Sequence, residues 1–140
     1  MNLANFLLSD DFIAIEVEGS YYDLHNNFDF VDVSYNVLSN IVVLSWIKAT
    51  GSWVPENSPN ALELVFSGVT VFKCKERDPG GSQSDNHCLD SLGFIGNDLI
   101  DQVDGFASNK STVDACHLNL TFSSGFAIKI GSESAKCNVQ

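Results

Sequence analysis

The chain has 140 residues, 44% of them hydrophobic and ten of them Phe, which favours one folded domain over residues 1–140 and excludes a disordered chain. Its 18 acidic residues outnumber seven Lys and Arg, so the formal net charge is −11, and residues 1–47 contain no Lys or Arg. A field this negative repels phosphate backbones and anionic lipid headgroups, so we expect neither a nucleic-acid nor a membrane partner.

The first half of the chain reads as β-strands. Residues 13–17 alternate apolar with small or acidic side chains, which predicts a half-buried strand that ends before Gly19. Residues 28–35 and 41–47 are apolar on both faces, as central strands are. Residues 36–40 between them have the composition of a turn, so we expect the two strands to form a hairpin.

Loops and turns punctuate the second half. Residues 50–60 are rich in Gly, Pro, Ser and Asn and predict a loop. Gly68 interrupts a β-run and predicts a bulge or tight bend. Residues 77–91 are the longest polar stretch, and a loop of this length is either functional or mobile. Residues 98–103 fit one helical turn or a further strand. Alternating apolar residues predict other strands at 61–66, 69–75, 92–95, 116–122 and 126–130.

The order of these elements predicts the fold class. Many short strands are separated by polar turns, helical patterns are almost absent, and no repeat or domain linker divides the chain. We therefore expect an all-β protein, built as a single antiparallel β-sandwich or a partly open barrel with little helix.

The termini and cysteines indicate a compartment and argue against metals. Residues 1–11 lack the basic region of a signal peptide, and no stretch reaches the roughly 20 apolar residues of a membrane span, so we expect a cytoplasmic location. No two cysteines form a C-x-x-C pair, so we expect free thiols, no metal and no cofactor. The four cysteines are Cys74, Cys88, Cys116 and Cys137.

His25 is the strongest catalytic candidate in the sequence. Asp23 or Asp29 could orient its imidazole, which is the arrangement of a general base. The nucleophile motif G-x-S-x-G is absent, and no Ser or Cys stands near His25 in a recognisable nucleophile setting. We therefore expect no catalytic residue and no enzymatic activity, and keep a His25-dependent hydrolase as the weaker alternative.

The remaining acids suit electrostatics better than catalysis. Asp29 and Asp32 are three residues apart on a predicted strand, so regular alternation puts them on opposite faces. Asp85 and Asp90 lie in a stretch with oxygen, nitrogen and sulfur ligands, but its spacing does not fit a calcium loop. These acids are expected to remain solvated.

Trp53 lies in the predicted Gly/Pro loop, where two interpretations are open. The indole either folds back as a lid on the core or stands exposed as the anchor of a recognition face, a role in which Trp is enriched. If the second holds, the binding residues combine Trp53 with nearby acids. The predicted binding set is Asp23, Asp29, Asp32, Trp53, Asp85 and Asp90.

Three patterns resemble a known group of proteins. They are Leu24-His-x-x-Phe-Asp-Phe30, Leu62-x-Leu-x-Phe66 followed by Gly68-Val69, and His117-Leu-Asn-Leu-x-Phe-x-Ser-Gly125-x-Ala-Ile-Lys-Ile130. Together they resemble small bacterial all-β proteins, some of them similar to immunity proteins of polymorphic toxin systems. The resemblance covers most of residues 20–131 and rests on positions that build strands. It implies a non-enzymatic binding role and carries over no functional residue.

The physical interpretation leads to the same hypothesis. A small acidic protein suits the capture of a basic protein, such as a toxin nuclease whose active site binds phosphates, because complementary charge speeds encounter. The alternative is a small-ligand or lipid-binding β-barrel in which several of the ten Phe line a cavity.

Overall fold

The computed structural model describes residues 1–95 and 117–140. Within these ranges the chain forms ten strands and one short 3₁₀ helix. Strands contain 59% of the described residues and the helix contains 4%, so the predicted all-β class with little helix is confirmed. The strands are β1 (Asn2–Leu3), β2 (Phe6–Leu8), β3 (Ala14–Val17), β4 (Ser20–Asp23), β5 (Phe28–Asn36), β6 (Ile41–Lys48), β7 (Ala61–Lys75), β8 (Leu89–Ile95), β9 (His117–Phe122) and β10 (Ala127–Val139), and the 3₁₀ helix spans Gln83–His87.

The strands form a large sheet and a small one. The large sheet has the order β5-β6-β7-β10-β9-β8, and β1 pairs with the second half of β10. The small sheet is the meander β2-β3-β4. Among the described strands every pair is antiparallel except β1 with β10, which is parallel, so the predicted antiparallel architecture is confirmed.

Strand stagger curls the large sheet into a half-barrel. β6 pairs with residues 61–67 of β7, whereas β9 pairs with residues 127–131 of β10, which lie opposite residues 71–75 of β7. Because the paired segments are displaced along β7 and β10, neighbouring strands are tilted relative to one another, and the sheet curls towards a closed barrel. The predicted partly open barrel is confirmed by this curled half-barrel.

Aromatic contacts hold the two ends of the curl together. The Phe30 ring on β5 lies 4.7 Å from that of Phe122 on β9 and 5.1 Å from that of Trp46 on β6, measured between centroids. Trp46 is fully buried. The small sheet contributes Phe6 and Ile15 to the same core, so it covers the concave side of the large sheet. We call the convex side of β5, β6 and β7, which points away from this core, the outer face of the sheet.

The predicted hairpins are confirmed, and several short strands were missed. β5 with β6 and β9 with β10 form as expected, although β10 continues beyond residue 130 to Val139. Gly68 has a φ of +65°, and the register of β7 against β10 shifts two residues later, where Thr70 is the extra residue between Val69 and Val71, so the predicted bulge lies just after Gly68. β1, β2 and β4 have no counterpart among the predicted strands.

The polar stretch 77–91 is not one loop. It contains the 3₁₀ helix and the first residues of β8, so that prediction is wrong in part. The predicted element at 98–103 and Cys116 lie outside the described residues. Cys74, Cys88 and Cys137 are free thiols in the part of the chain that the structure describes. Neither residues 1–95 nor 117–140 include a helix that is long and apolar enough to cross a membrane.

Candidate protein-binding surface

A bulge in β5 sets the direction of its acidic side chains. Phe30 pairs with Trp46 of β6, but the next pair joins Asp32 to Ser45, so Val31 is an extra residue without a partner across the ladder. One inserted residue reverses the alternation of all the side chains that follow it.

The bulge brings Asp29 and Asp32 onto one face. Asp29 is opposite Ile47 and Asp32 is opposite Ser45, and residues opposite each other in an antiparallel pair share a face. Ile47 and Ser45 flank the buried Trp46 and therefore point away from the core. The prediction that the two acids face opposite ways is wrong, because regular alternation does not continue through residue 31.

A third acid continues this face across the sheet. Ser45 pairs with Glu63 of β7, and Glu63 pairs with Asn138 of β10, so Asp32, Ser45, Glu63 and Asn138 form one row across four strands. The Asn138 amide lies 3.5 Å from a Glu63 carboxylate oxygen. Neither Asp32 nor Glu63 forms an ion pair with any residue of the described ranges.

Aliphatic side chains lie between these acids. Ile47 is 46% exposed, and Val43 and Val65 are half-buried on the same face. Lys136 is the one basic side chain placed there by the register, opposite Val65. We call this surface the acidic sheet face and define it as Asp29, Asp32, Val43, Ile47 and Glu63. It offers negative charge and apolar area side by side.

The 3₁₀ helix docks at one end of this face. The His87 Nε2 lies 3.8 Å from the Asp29 carboxylate, and both side chains are substantially exposed, so the pair stabilises the contact only weakly. Asp85 lies in the same short helix with its side chain exposed. Asp29 and Asp85 are therefore brought to the same end of the sheet.

Asp23 has a local structural role. One carboxylate oxygen accepts hydrogen bonds from the backbone N–H of His25 at 3.1 Å and of Asn26 at 2.9 Å. The other accepts from the Asn26 amide at 2.7 Å. A short acidic side chain that bonds to N–H groups two and three residues later is typical of a turn. Of the predicted binding residues, Asp23 is the one whose carboxylate oxygens both accept hydrogen bonds within its own turn.

Trp53 is exposed and held in place. Its side chain is 68% exposed, so the lid interpretation is wrong. The indole Nε1–H donates to the Asn26 carbonyl at 2.8 Å, and the ring covers Gly51, where a Cβ atom would come within 2.1 Å of Cη2. The loop carrying it follows β6, whose last residues include Ile47. Trp53 is therefore an exposed aromatic group held in a fixed position in the loop between β6 and β7.

His25 does not pair with a carboxylate in the described ranges. Its ring Nδ1 contacts the Leu89 carbonyl and lies 3.9 Å from the Cys88 Sγ. Asp23 binds the backbone N–H of His25 instead of its ring, and Asp29 pairs with His87. The base–orienter pair predicted for a hydrolase is therefore not formed. No group of three or more His, Cys, Asp or Glu in residues 1–95 and 117–140 is arranged to hold a metal ion.

Asp90 lies on β8, which is at the other end of the strand order from β5. It is exposed and is the extra residue of a further bulge, between Leu89 and Ser91. It borders a cleft that also contains Lys75 and Asp78, which form an ion pair at 3.2 Å. The structure therefore brings Asp29 and Asp32 onto one face and Asp85 to the same end of the sheet, whereas Asp90 lies on β8.

Three clefts among the described residues each include one phenylalanine among polar or charged side chains. One of about 640 Å³ contains a single phenylalanine. The core phenylalanines instead contact other aromatic rings, as Phe30 does with Phe122. The alternative of a Phe-lined ligand cavity therefore draws no support from the core. The residues lining the cleft are Glu76, Arg77, Asp78, Pro79, Asn86 and Phe126.

The fold and this surface together define an all-β half-barrel with an exposed face of acidic and aliphatic side chains. Comparison with protein-family models, curated proteins and solved structures finds no match for the chain. The resemblance to immunity proteins therefore stays a prediction. Sequence reasoning missed Val43, Ile47 and Glu63, which only the pairing of β5 with β6 and of β6 with β7 brings onto one face.

Proposed function

We propose that this protein is a non-enzymatic binding module of the cytoplasm that captures a basic protein, as an immunity-type inhibitor of a basic toxin does. The observation that carries the proposal is the acidic sheet face, where the β5 bulge sets Asp29 and Asp32 on the same side as the exposed Ile47.

The charge of this face favours a cationic partner. Asp32 and Glu63 have no ion-pair partner among the described residues, and residues 1–47 contain no Lys or Arg. With a formal net charge of −11, the protein attracts a basic surface over a distance of about 10 Å at 0.1 M salt. Such attraction raises the association rate and orients the partner before contact.

Apolar side chains supply the part of the contact that does not depend on salt. Ile47 and Trp53 are exposed, and Trp53 is fixed by its hydrogen bond to Asn26 and its packing on Gly51. A large aromatic side chain that is already ordered loses little conformational entropy on binding. Trp53 is therefore the expected anchor, and Asp29 and Asp32 are the expected charged contacts.

A charge-matched comparison tests the proposal. Immobilised wild type is compared with the double variant Asp29→Asn/Asp32→Asn and with Asp10→Asn/Glu16→Gln, which removes the same charge from exposed sites near and on the small sheet. Each bait is exposed to extract of the native cells at low salt and eluted at high salt, and captured proteins are identified by mass spectrometry and then purified for titration.

We expect a basic protein to be retained by wild type and by the control variant. Two exposed ion pairs contribute roughly 0.2–1 kcal/mol each, so the affinity of the Asp29/Asp32 variant should fall about tenfold. If no basic protein is retained, the proposed function is wrong. If both double variants lose affinity equally, the acidic sheet face is not the binding surface.

A further inference from the structure

Among the strands that the structure describes, β5 is an edge strand, and its second half pairs with β6 alone. It pairs with β6 on one side and is the last strand in the order of the large sheet. The contacts of β5 with the 3₁₀ helix and with β9 fall at its beginning, where Asp29 meets His87 and Phe30 meets Phe122. Beside residues 31–36 the described ranges place no further strand.

An open edge carries unused hydrogen-bonding groups. Successive residues of a strand direct their N–H and C=O alternately to the two sides, so about half of those in residues 31–36 point away from β6. No backbone hydrogen bond joins these six residues to any described segment other than β6. Such an edge is a template for an added strand from another chain.

The side chains of this edge form two rows of different character. Asp32 and Ser34 lie on the outer face, whereas Val33 and Tyr35 lie on the inner face, opposite buried residues of β6. Tyr35 is 40% exposed although its ring packs against that of Phe72, 5.3 Å away. A strand added here would set one row of its side chains beside the acid and the other beside the apolar pair.

The hairpin tip extends the apolar row. Val37 is 73% exposed and Leu38 is fully exposed, and both follow the last residue of β5 directly. Two adjacent exposed aliphatic residues at a turn have no role in the core. They lengthen the apolar surface that a strand alongside residues 31–36 would meet.

The charge of the edge selects its occupant. A second copy of this chain would bring another Asp29 and Asp32 to the contact and a further formal charge of −11 to the complex. Acidic residues on edge strands oppose that kind of self-association. The same acids attract a strand that carries Lys or Arg.

We propose that residues 31–36 of β5 bind an extended segment of the partner, in which cationic side chains alternate with aliphatic or aromatic ones. This inference rests on the proposed function, capture of a basic protein, and adds the way in which the partner is recognised. The cationic row lies beside Asp32, and the apolar row lies beside Val33 and Tyr35.

A synthetic peptide of alternating Lys and Val with blocked ends provides the probe. Three forms are titrated into the full chain: the parent peptide, one N-methylated at every Lys, and one N-methylated at every Val. In an added strand one set of N–H groups faces β5 and the other faces solvent, so the two methylated forms must differ. A contact made by charge alone treats both forms alike because N-methylation leaves the charge unchanged.

We expect one methylated peptide to bind at least tenfold more weakly than the parent and the other to bind within about twofold of it. Hydrogen exchange should slow at amides within residues 31–36 when the parent peptide binds. Which set is sensitive also reports whether the added strand runs parallel or antiparallel to β5, because reversing the strand exchanges the two sets.

The outcomes separate this inference from the proposed function. If the two methylated forms bind equally, or if the peptide does not bind while a basic partner is captured through Asp29 and Asp32, edge addition is wrong and the proposed function stands. If residues 31–36 are protected in the free protein in a concentration-dependent dimer, the occupant is a second copy and the inference is overturned. Loss of both peptide binding and partner capture rejects both.

Discussion

Replacing Gly51 by Ala should displace the indole of Trp53 from its position. A Cβ atom at residue 51 would lie 2.1 Å from Cη2, 2.2 Å from Cζ3 and 2.3 Å from Cζ2 of that ring, far inside van der Waals contact. Gly51 does not adopt a left-handed backbone, so Ala introduces no strain of its own. The steric conflict is confined to the Trp53 side chain, which must rotate away.

The expected loss of stability follows from what the indole contributes. Trp53 is 68% exposed, so roughly 80 Å² of a side chain that can bury about 250 Å² is covered, worth about 2 kcal/mol at 25 cal/mol per Å². Its hydrogen bond to the Asn26 carbonyl adds about 1 kcal/mol. Because Ala also restricts the unfolded chain, by about 0.4–1 kcal/mol, and the rotated ring keeps some contacts, we expect a net loss of about 1–2 kcal/mol.

Urea unfolding and the indole N–H signals in NMR spectra measure this prediction. Gly80→Ala is the matched control, because a Cβ atom there meets nothing within 4 Å. In Gly51→Ala the Trp53 indole signal should shift and exchange faster, while that of the fully buried Trp46 stays unchanged. Equal stability of the two Gly→Ala variants, with an unshifted Trp53 signal, would refute the packing of Trp53 on Gly51.

Three further substitutions test interactions that stabilise the large sheet. Asn5→Ala removes two hydrogen bonds to the Cys137 backbone, of 2.7 and 2.8 Å, and should lower the free energy of unfolding by about 1–3 kcal/mol and speed exchange of the Cys137 amide. Gly68→Ala places a side chain on a residue with a φ of +65° and should lower the free energy of unfolding by about 1–2 kcal/mol relative to Gly80→Ala. Burial raises the pKa of the Cys137 thiol from 9.0 to about 11, so the unfolded chain loses this proton at lower pH than the folded chain. The stability of wild type relative to Cys137→Ala should therefore be constant well below pH 9 and fall by about 2 kcal/mol between pH 9 and pH 11. A pH-independent difference would contradict this.

Apolar runs on both sides of a turn made the longer hairpins predictable. The chain from residue 28 to residue 47 has two apolar runs around a turn, and the chain from residue 117 to residue 130 repeats that pattern around a Gly-containing turn. β1, β2 and β4 were missed because two to four residues are too few to establish a period. β1 in particular pairs in parallel with a strand at the far end of the chain.

The candidate surface was less accessible from the sequence because it depends on distant contacts. Asp29 and Trp53 were predicted as binding residues. Asp23 was predicted with them, but the structure shows that its carboxylate accepts hydrogen bonds from Asn26 within the same turn. The docking of the 3₁₀ helix on Asp29 joins segments almost 60 residues apart, as the His87 contact shows. Single-sequence periodicity carries no information about such pairs.

The β5 bulge explains both the misreading of the strand and the surface that results from it. The apolar residues of β5 change from even to odd positions along the strand: first Phe28 and Phe30, then Val31, Val33 and Tyr35. From the sequence alone, this pattern predicts a strand that is apolar on both faces. The ladder shows instead that one residue is inserted between the two sets.

Without that insertion, regular alternation would turn Asp32 inward, opposite the fully buried Leu44. An unpaired carboxylate in such a place costs several kcal/mol, whereas Val33 in the same place contributes to the core. The extra residue therefore keeps Val33 inside and moves Asp32 to the side that Asp29 already occupies. The feature that satisfies the core is also the one that concentrates the charge, so the acidic sheet face and the open edge beside it share one structural origin.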